Sequence, residues 1–224
     1  MSADQATTVR AVVFDLWKTL VPLPDSVKQR AFIETCHALG VAPQELRGPW
    51  QAGRVTRETT PLTDYLAALR VSLGAGWSRA QAAEAMRVRR KNHGAGFADL
   101  SPGAVEVLSS LRQAGLRTGL VSNCSSDVRD MLDESALGDQ FEVQVLSAEV
   151  GLMKPDPQIF RLAAQRLGVD CSQCLYVGDG NDNELAGAAE SGMQAVLLDL
   201  GEGREWSGAR ITSLSDLLQL AIPS

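Results

Sequence analysis

The stretch Arg10-Ala-Val-Val-Phe-Asp15-Leu-Trp-Lys-Thr19 decides how the rest of the chain is read. A short apolar run with adjacent β-branched residues leads straight into a carboxylate. A continuous apolar run of this length fits a strand buried on both faces. A carboxylate after such a strand, followed by a tight turn, can point at a ligand that the turn's backbone N–H groups also face. Asp15 is therefore the first candidate functional residue.

The same pattern returns at 116–122 (LRTGLVS), 142–147 (EVQVLS), 174–179 (CLYVGD) and 193–199 (MQAVLLD). Helices fit between these runs. Ser101-Pro102 reads as an N-cap with proline at the first helical position, opening a helix to about Gln113 that Gly115 ends. Asp156-Pro157 opens another, with Phe160, Ala164 and Leu167 on one face and Gly168 as its stop. A third runs over 183–191 and stops at Gly192. Strands alternating with helices predict an α/β fold with a doubly wound parallel sheet.

Residues 22–97 break the alternation and read as helices only. Ser26-x-x-Gln29 and Ser78-x-x-Gln81 have the form of capping boxes. Phe32, Cys36 and Leu39 share one helix face, and Leu62, Tyr65, Leu66, Leu69 and Leu73 form an amphipathic stripe. A helical insert just after the first strand would sit over the carboxyl ends of the sheet, where ligands bind in such folds. The expected division is a core of residues 1–21 and 98–224 and a helical cap of residues 22–97.

The bulk numbers bound the partners. The chain has 224 residues, 45% hydrophobic and 21% charged, which is ordinary for a globular protein with a sizeable core. Its net charge of −6 argues against nucleic acid or an anionic membrane surface as a partner. No stretch approaches the length of a membrane span, and Met1 to Arg10 is polar, without the apolar centre of a leader. The cytoplasm is the expected compartment, and a monomer or homodimer the expected state. Cys36, Cys124, Cys171 and Cys174 are too few for a disulfide framework. Cys171 and Cys174 form a C-x-x-C, but with no second pair they are expected simply to lead into a buried strand.

Three more element ends carry chemistry. Ser122-Asn123 offers a hydroxyl and an amide that can hold a phosphate oxygen. Lys154, in Gly-Leu-Met-Lys-Pro-Asp-Pro, is a compact charge suited to a phosphate oxygen and a nearby carboxylate. Gly178-Asp179-Gly180-Asn181-Asp182-Asn183-Glu184 places acidic oxygens in a glycine-containing loop, a donor set that suits magnesium.

The order Asp15, Ser122, Lys154, Asp179 at successive element ends resembles the haloacid dehalogenase superfamily over nearly the whole chain. The first motif matches as Phe-Asp15-Leu-Trp-Lys-Thr19 and the second as Ser122-Asn123. Lys154-Pro155 matches the third. Asp179 with Glu184, continuing into Gly187-Ala188, matches the fourth. The insert is similar to the helical cap that one branch of the family carries after its first motif.

The resemblance implies a magnesium-dependent hydrolase acting on a small phosphorylated substrate. Asp15 would be the nucleophile, with Lys154 as its catalytic partner. Leu16, Trp17, Thr19, Ser122, Asn123 and Lys154 would hold the phosphoryl group. Magnesium would be held by Asp15, the Trp17 carbonyl, Asp179 and Glu184, with Asp182 or Glu184 acting through water.

The family pattern is broken at Trp17, where most of its phosphatases carry the aspartate that protonates the leaving group. Lys18 stands where glycine is usual. An aromatic residue at Trp17's position is similar to the 2-haloacid dehalogenases, but those relatives lack the metal-binding aspartate that Asp179 supplies. A phosphonate hydrolase would need a cap lysine, for which Lys28 and Lys91 are the candidates. A binding protein with little or no turnover is the remaining alternative.

Smaller features stand in the insert. The run Arg87, Arg89, Arg90, Lys91 is expected to be a solvated helix face. Any of Trp50, Arg54 and Arg57 could line the substrate pocket. His37 is expected at the surface or packed against the cap, and His93 is a candidate surrogate acid above Asp15.

Overall fold

A computed structural model describes residues 8–222. The reading of the chain's first residues as polar and leaderless falls on residues 1–7, outside the described residues. Strand β1 is Ala11–Phe14. Helices follow without a strand between them: α1 (Asp25–Leu39), α2 (Pro43–Ala52), α3 (Arg54–Thr59), α4 (Leu62–Ser72), α5 (Arg79–Ala98) and α6 (Ala104–Gln113). Then come β2 (Arg117–Ser122), α7 (Val128–Asp133), β3 (Val143–Leu146), α8 (Ser147–Val150), α9 (Pro157–Leu167), β4 (Cys174–Gly178) and α10 (Glu184–Ser191). Strands β5 (Gln194–Leu198) and β6 (Ala209–Ile211) and helix α11 (Leu217–Ala221) complete the chain.

The six strands form one parallel sheet in the order β3-β2-β1-β4-β5-β6. Strand β1 lies in the middle, as its unbroken apolar run requires, with Val13 opposite Gly119 on one side and Tyr176 on the other. Its alternate residues feed opposite faces. Val12 and Phe14 pack with Val107, Leu108 and Leu111 of α6 and Leu217 of α11. Ala11 and Val13 pack with Ile159, Phe160 and Ala163 of α9 and Ala188 of α10. A large apolar side chain buried this way contributes roughly 1.5–3 kcal/mol. That reserve lets the sheet carry several buried ionisable groups at its carboxyl end.

The insert has a core of its own: Phe32, Cys36, Leu39, Leu46, Trp50, Leu62, Tyr65, Leu66, Leu69, Trp77 and Ala85. The predicted stripe on α4 faces it, and the half-buried Leu73, just past the helix end, packs against it too. Helix α5 also reaches the main core, through Phe97. The capping box at Ser78 forms, with Gln81. The one expected at Ser26 does not, because α1 begins earlier, after Pro24, and Ser26 lies inside its first turn. The helix expected from Ser101-Pro102 starts at Ala104 instead. Gly103 intervenes with φ 79°, and the Ser101 N–H donates to the Leu20 carbonyl at 2.9 Å, tying the end of the insert back to β1's turn. Strand β6 has no counterpart in the sequence reading; its segment, Ala-Arg-Ile, is too short to stand out.

Cys171 lies in a single helical turn and the buried Cys174 begins β4; all four cysteines are free thiols. Among the described residues, no helix is long and apolar enough to cross a membrane.

Candidate active site

Strand ends place the chemistry. Asp15 directly follows β1, and its N–H donates to the Val177 carbonyl of β4 at 2.8 Å. The chain then turns sharply: the Leu20 and Val21 N–H groups both return to the Leu16 carbonyl at 2.9 Å, and the Lys18 N–H donates to the Val21 carbonyl at 2.7 Å. Lys18 adopts φ 63°, a left-handed conformation that costs a side-chain-bearing residue roughly 1–2 kcal/mol and explains why glycine suits this position. Its ammonium pairs with Glu202 at 3.2 Å. The Thr19 hydroxyl donates to Asp15 Oδ2 at 3.2 Å, orienting the carboxylate.

Asp15, Asp179 and Glu184 converge, each offering an oxygen within 4.8 Å of the others, and all three are buried. Lys154 enters the cluster from the loop before α9. An ammonium has three N–H donors, and Lys154 Nζ has three acceptors: Asp15 Oδ1, Glu184 Oε2 and, at 3.0 Å, Tyr176 Oη. The Tyr176 hydroxyl in turn donates to Glu184 Oε2 at 2.7 Å. Glu184 Oε1 accepts from the Gly180 N–H at 3.1 Å. Glu184 also explains Gly178, where an added Cβ would stand 2.7 Å from the Glu184 carboxyl carbon. Asp179 is held by Asn181, whose N–H donates to Oδ1 at 3.1 Å and whose amide donates to Oδ2.

Three carboxylates against one lysine leave a surplus of negative charge in a buried space. Burial and the charge of Glu184 push Asp15 up to about 7, against the opposing pull of Lys154. Burial and Glu184 likewise push Asp179 up to about 6. Burial works against the charge of Lys154, but Asp15 and Glu184 outweigh it and hold its pKa above the ordinary lysine value. A divalent cation is opposite to the surplus in sign and equal to it in size, and three carboxylate oxygens are hard donors of the kind magnesium takes. The acidic group could therefore hold a metal ion.

The remaining predicted residues divide. Leu16 is fully buried in the core, so only its backbone is available to a ligand. Trp17 lines the cavity over the cluster, its ring 5.9 Å from that of His93 and 5.6 Å from that of Phe97 on α5. Asn123 lines the cavity as a brace: its amide donates to the Lys154 carbonyl at 2.9 Å and its Oδ1 accepts from the Lys154 N–H at 2.7 Å. Ser122 ends β2 fully buried, with no hydrogen-bond partner for its hydroxyl among the described residues, and it does not line the cavity. Asp182 stands apart from the acidic group, held by a two-pronged ion pair with Arg54 of α3.

The cavity measures about 400 Å³, and the insert roofs it with Phe32, Trp50, Arg54, Arg57, Arg89 and His93. The expected solvated face on α5 holds for Arg87 and Lys91 and is corrected at Arg89. Arg89 is 8% exposed and turns into the cavity, where Nη2 donates to Ser125 Oγ at 3.0 Å. Arg90 reaches Asp130 at 2.6 Å and Glu134 at 2.7 Å, Arg87 pairs with Glu84, and Lys91 is exposed. His37 is exposed. Burial and the charge of Arg89 pull His93 down to about 3, so its ring is neutral near pH 7 and ill suited to donate a proton. Lys28 is exposed at the cavity edge and paired with Asp25 at 3.3 Å.

The sequence reading missed Tyr176, the Arg54–Asp182 pair and the burial of Arg57 and Arg89. A signal existed for Tyr176, the one hydroxyl-bearing side chain in the apolar run of β4.

The comparisons agree with this geometry. Residues 9–192 match the haloacid dehalogenase-like hydrolase family. The chain is 33% identical over 169 residues to a phosphatase of Mycobacterium tuberculosis, covering 74% of this chain and 75% of that protein. It is 30% identical to Protein CbbY of Rhodobacter capsulatus over 96% of this chain and 98% of that one. The crystal structure of a HAD phosphatase from Thermococcus onnurineus has the same fold, with a TM-score of 0.69 at 22% identity over 95% of this chain and 97% of that one. Strand-end acids, the buried lysine, the parallel sheet and these matches converge: the chain belongs to the haloacid dehalogenase-like hydrolases.

Proposed function

We propose that this hydrolase is a phosphatase for a small phosphorylated metabolite, working through an aspartyl-phosphate on Asp15. The observation that carries the reading is the buried cluster of Asp15, Asp179 and Glu184 around Lys154. A carboxylate oxygen of Asp15 attacks phosphorus, and the bond from phosphorus to the leaving oxygen breaks. The leaving oxygen takes up a proton. Water then attacks phosphorus in the acyl phosphate, which frees phosphate and restores the Asp15 carboxylate.

Lys154 holds Asp15 in place and counters charge on the phosphoryl oxygens. Thr19 orients the nucleophile. Asn123 fixes the backbone of Lys154, and the backbone around Leu16 and Trp17 completes the phosphate cradle. Magnesium held by Asp15, Asp179, Glu184 and the Trp17 carbonyl would neutralise charge between nucleophile and substrate. Residues 22–97 form the cap that selects the substrate, and residues 1–21 and 98–224 the catalytic core.

Trp17 has no proton to give, and His93 is neutral. The leaving oxygen must be protonated by water or by the substrate itself, so turnover should favour good leaving groups. Trp17 also motivates a second reading, a 2-haloacid dehalogenase, because a halide leaves without a proton. A panel of phosphomonoesters and 2-haloacids, each with magnesium and with chelator, separates the two. Magnesium-dependent phosphate release supports the phosphatase. Metal-independent halide release without phosphatase activity sinks it.

A further inference from the structure

Two guanidinium groups of the cap meet in the cavity roof with most of their donors unused. Arg57, 8% exposed, lies over the Trp50 ring at 4.5 Å and near the Tyr65 ring at 5.6 Å. Arg89, 8% exposed, lies over the same Trp50 ring at 5.4 Å. A guanidinium carries five N–H donors, yet each makes a single hydrogen bond: Arg57 to the Trp50 carbonyl at 2.6 Å and Arg89 to Ser125 Oγ at 3.0 Å.

The nearby acids do not supply the missing acceptors. Glu58 gives both oxygens to Arg54 Nε at 3.2 Å and stands 3.6 Å from Arg57. Asp127 gives Oδ1 to the Ser125 hydroxyl, and its Oδ2 stands 3.7 Å from Arg89 Nε. Arg89 Nε and Asp127 Oδ2 are both buried without a hydrogen-bond partner among the described residues. Burial and the charge of Arg89 hold the Arg57 pKa below the ordinary guanidinium value. Gly53 serves this arrangement, since a Cβ there would strike the Tyr65 hydroxyl at 2.6 Å.

A buried guanidinium N–H without an acceptor, as at Arg89 Nε, is costly unless a ligand supplies acceptor oxygens, and the other unused N–H groups of Arg57 and Arg89 border the cavity such a ligand would enter. The geometry points to a second anion subsite in the cap: Arg57 and Arg89, flanking Trp50, take a carboxylate or second phosphoryl group at the end of the substrate remote from the scissile phosphate. This rests on the phosphatase reading for its scissile group. The substrate class is then a small phosphoester with a second anionic end, and neutral polyol phosphates are discriminated against. Both groups offer paired oxygens to a planar fork.

Three matched three-carbon compounds test it: phosphoglycerate with its phosphate on the terminal carbon, glycerol phosphate, and propanediol bisphosphate. Binding is measured by calorimetry on the Asp15→Asn protein with magnesium, and hydrolysis on the unmodified protein. A second anionic end should tighten binding about tenfold or more over glycerol phosphate. Which of the two anionic compounds gains more identifies carboxylate or phosphate as the fitting group. Arg57→Gln or Arg89→Gln, added to Asp15→Asn, should cut the preference to about twofold or less, with Arg89→Lys retaining part of it.

Equal affinity for all three compounds overturns the subsite. So does a preference that survives both glutamine variants. Should either variant fail to fold, the comparison among compounds decides. Preferential binding with no hydrolysis of any phosphoester keeps the subsite and removes the phosphatase reading. Hydrolysis and binding of all three without preference does the reverse.

Discussion

The floor and the roof of the cavity solve opposite problems. On the floor, Lys154 donates to Asp15, Tyr176 and Glu184, an acceptor for each donor, and the Tyr176 hydroxyl donates to Glu184. The excess there is negative charge. On the roof, Arg57 and Arg89 rest on aromatic faces with donors left over. The excess there is hydrogen-bonding capacity for an anion. A floor that could hold a cation and a roof with donors to spare for an anion are the two observations on which the proposed phosphatase and its proposed second anion subsite rest.

Removing the nucleophile should give the largest effect. Asp15→Asn is expected to lower kcat on p-nitrophenyl phosphate by roughly a thousandfold or more, read by steady-state kinetics with magnesium.

Lys154→Met strips the floor of its only internal cation. Breaking a buried ion pair from one side typically costs about 3–5 kcal/mol, so urea unfolding of the metal-free protein should show a loss of that order. Magnesium should recover part of it. A loss under about 1 kcal/mol would mean that the carboxylates are already protonated or solvated.

Trp17→Asp tests whether the missing proton donor limits turnover. A positioned acid typically contributes ~10²–10⁴-fold. Trp17 also packs on His93 and Phe97, so absolute rates mix chemistry with packing. The ratio of alkyl to aryl phosphate turnover is the cleaner readout, and it should rise at least about tenfold.

The pH dependence follows from the raised carboxyls. Asp15 and Asp179 hold their protons more tightly folded, at about 7 and about 6, than at their ordinary 3.8. Their contribution to stability is full below pH 3.8 and is lost as pH rises through those values. The Tm of the metal-free protein relative to Asp15→Asn should therefore fall as pH rises from about 5 to 8. Protons compete with metal for the same oxygens, so stabilisation by magnesium should grow over the same range. His93 acts with the opposite sign. It is depressed to about 3 from 6.5, so its contribution is present above 6.5 and fades as pH falls.

The smallest effect belongs to the strap between roof and floor, Arg54–Asp182, whose side chains are 43% and 31% exposed. Solvent screening leaves such a pair worth about 1 kcal/mol or less. Arg54→Ala should barely move Tm, and should act on KM by loosening the cap.

Asp15 and Asp179 on the floor were readable in the sequence because each directly follows a strand that announces itself, whereas Glu184 opens α10 and Tyr176 lies within β4. Val12 and Val13 lead to Asp15, and Tyr176 and Val177 lead to Asp179. The sheet's register then brings those ends together without further information. The roof was only partly readable: Trp50, Arg54, Arg57 and His93 were candidates and all line the cavity, but helix periodicity fixes angles within a helix and not which angle faces the cavity. Arg87, Arg89 and Arg90 are near neighbours on α5, yet one pairs within the helix, one enters the cavity and one reaches α7. Ser122 shows the limit from the other side: a strand-end residue that the motif places at the ligand lies fully buried. The start of α6 slipped because Gly103, in a left-handed conformation, outweighed the Ser-Pro signal.

The proposed chemistry stands or falls with Asp15 as the residue phosphorylated. Unmodified protein and Asp15→Asn, each mixed briefly with p-nitrophenyl phosphate and magnesium, quenched in acid and mapped by peptide mass spectrometry, test it directly. A phosphoryl group is expected on the peptide carrying Asp15, absent from Asp15→Asn and when chelator replaces magnesium. A phosphoryl group on another residue, or undiminished turnover by Asp15→Asn, would contradict it.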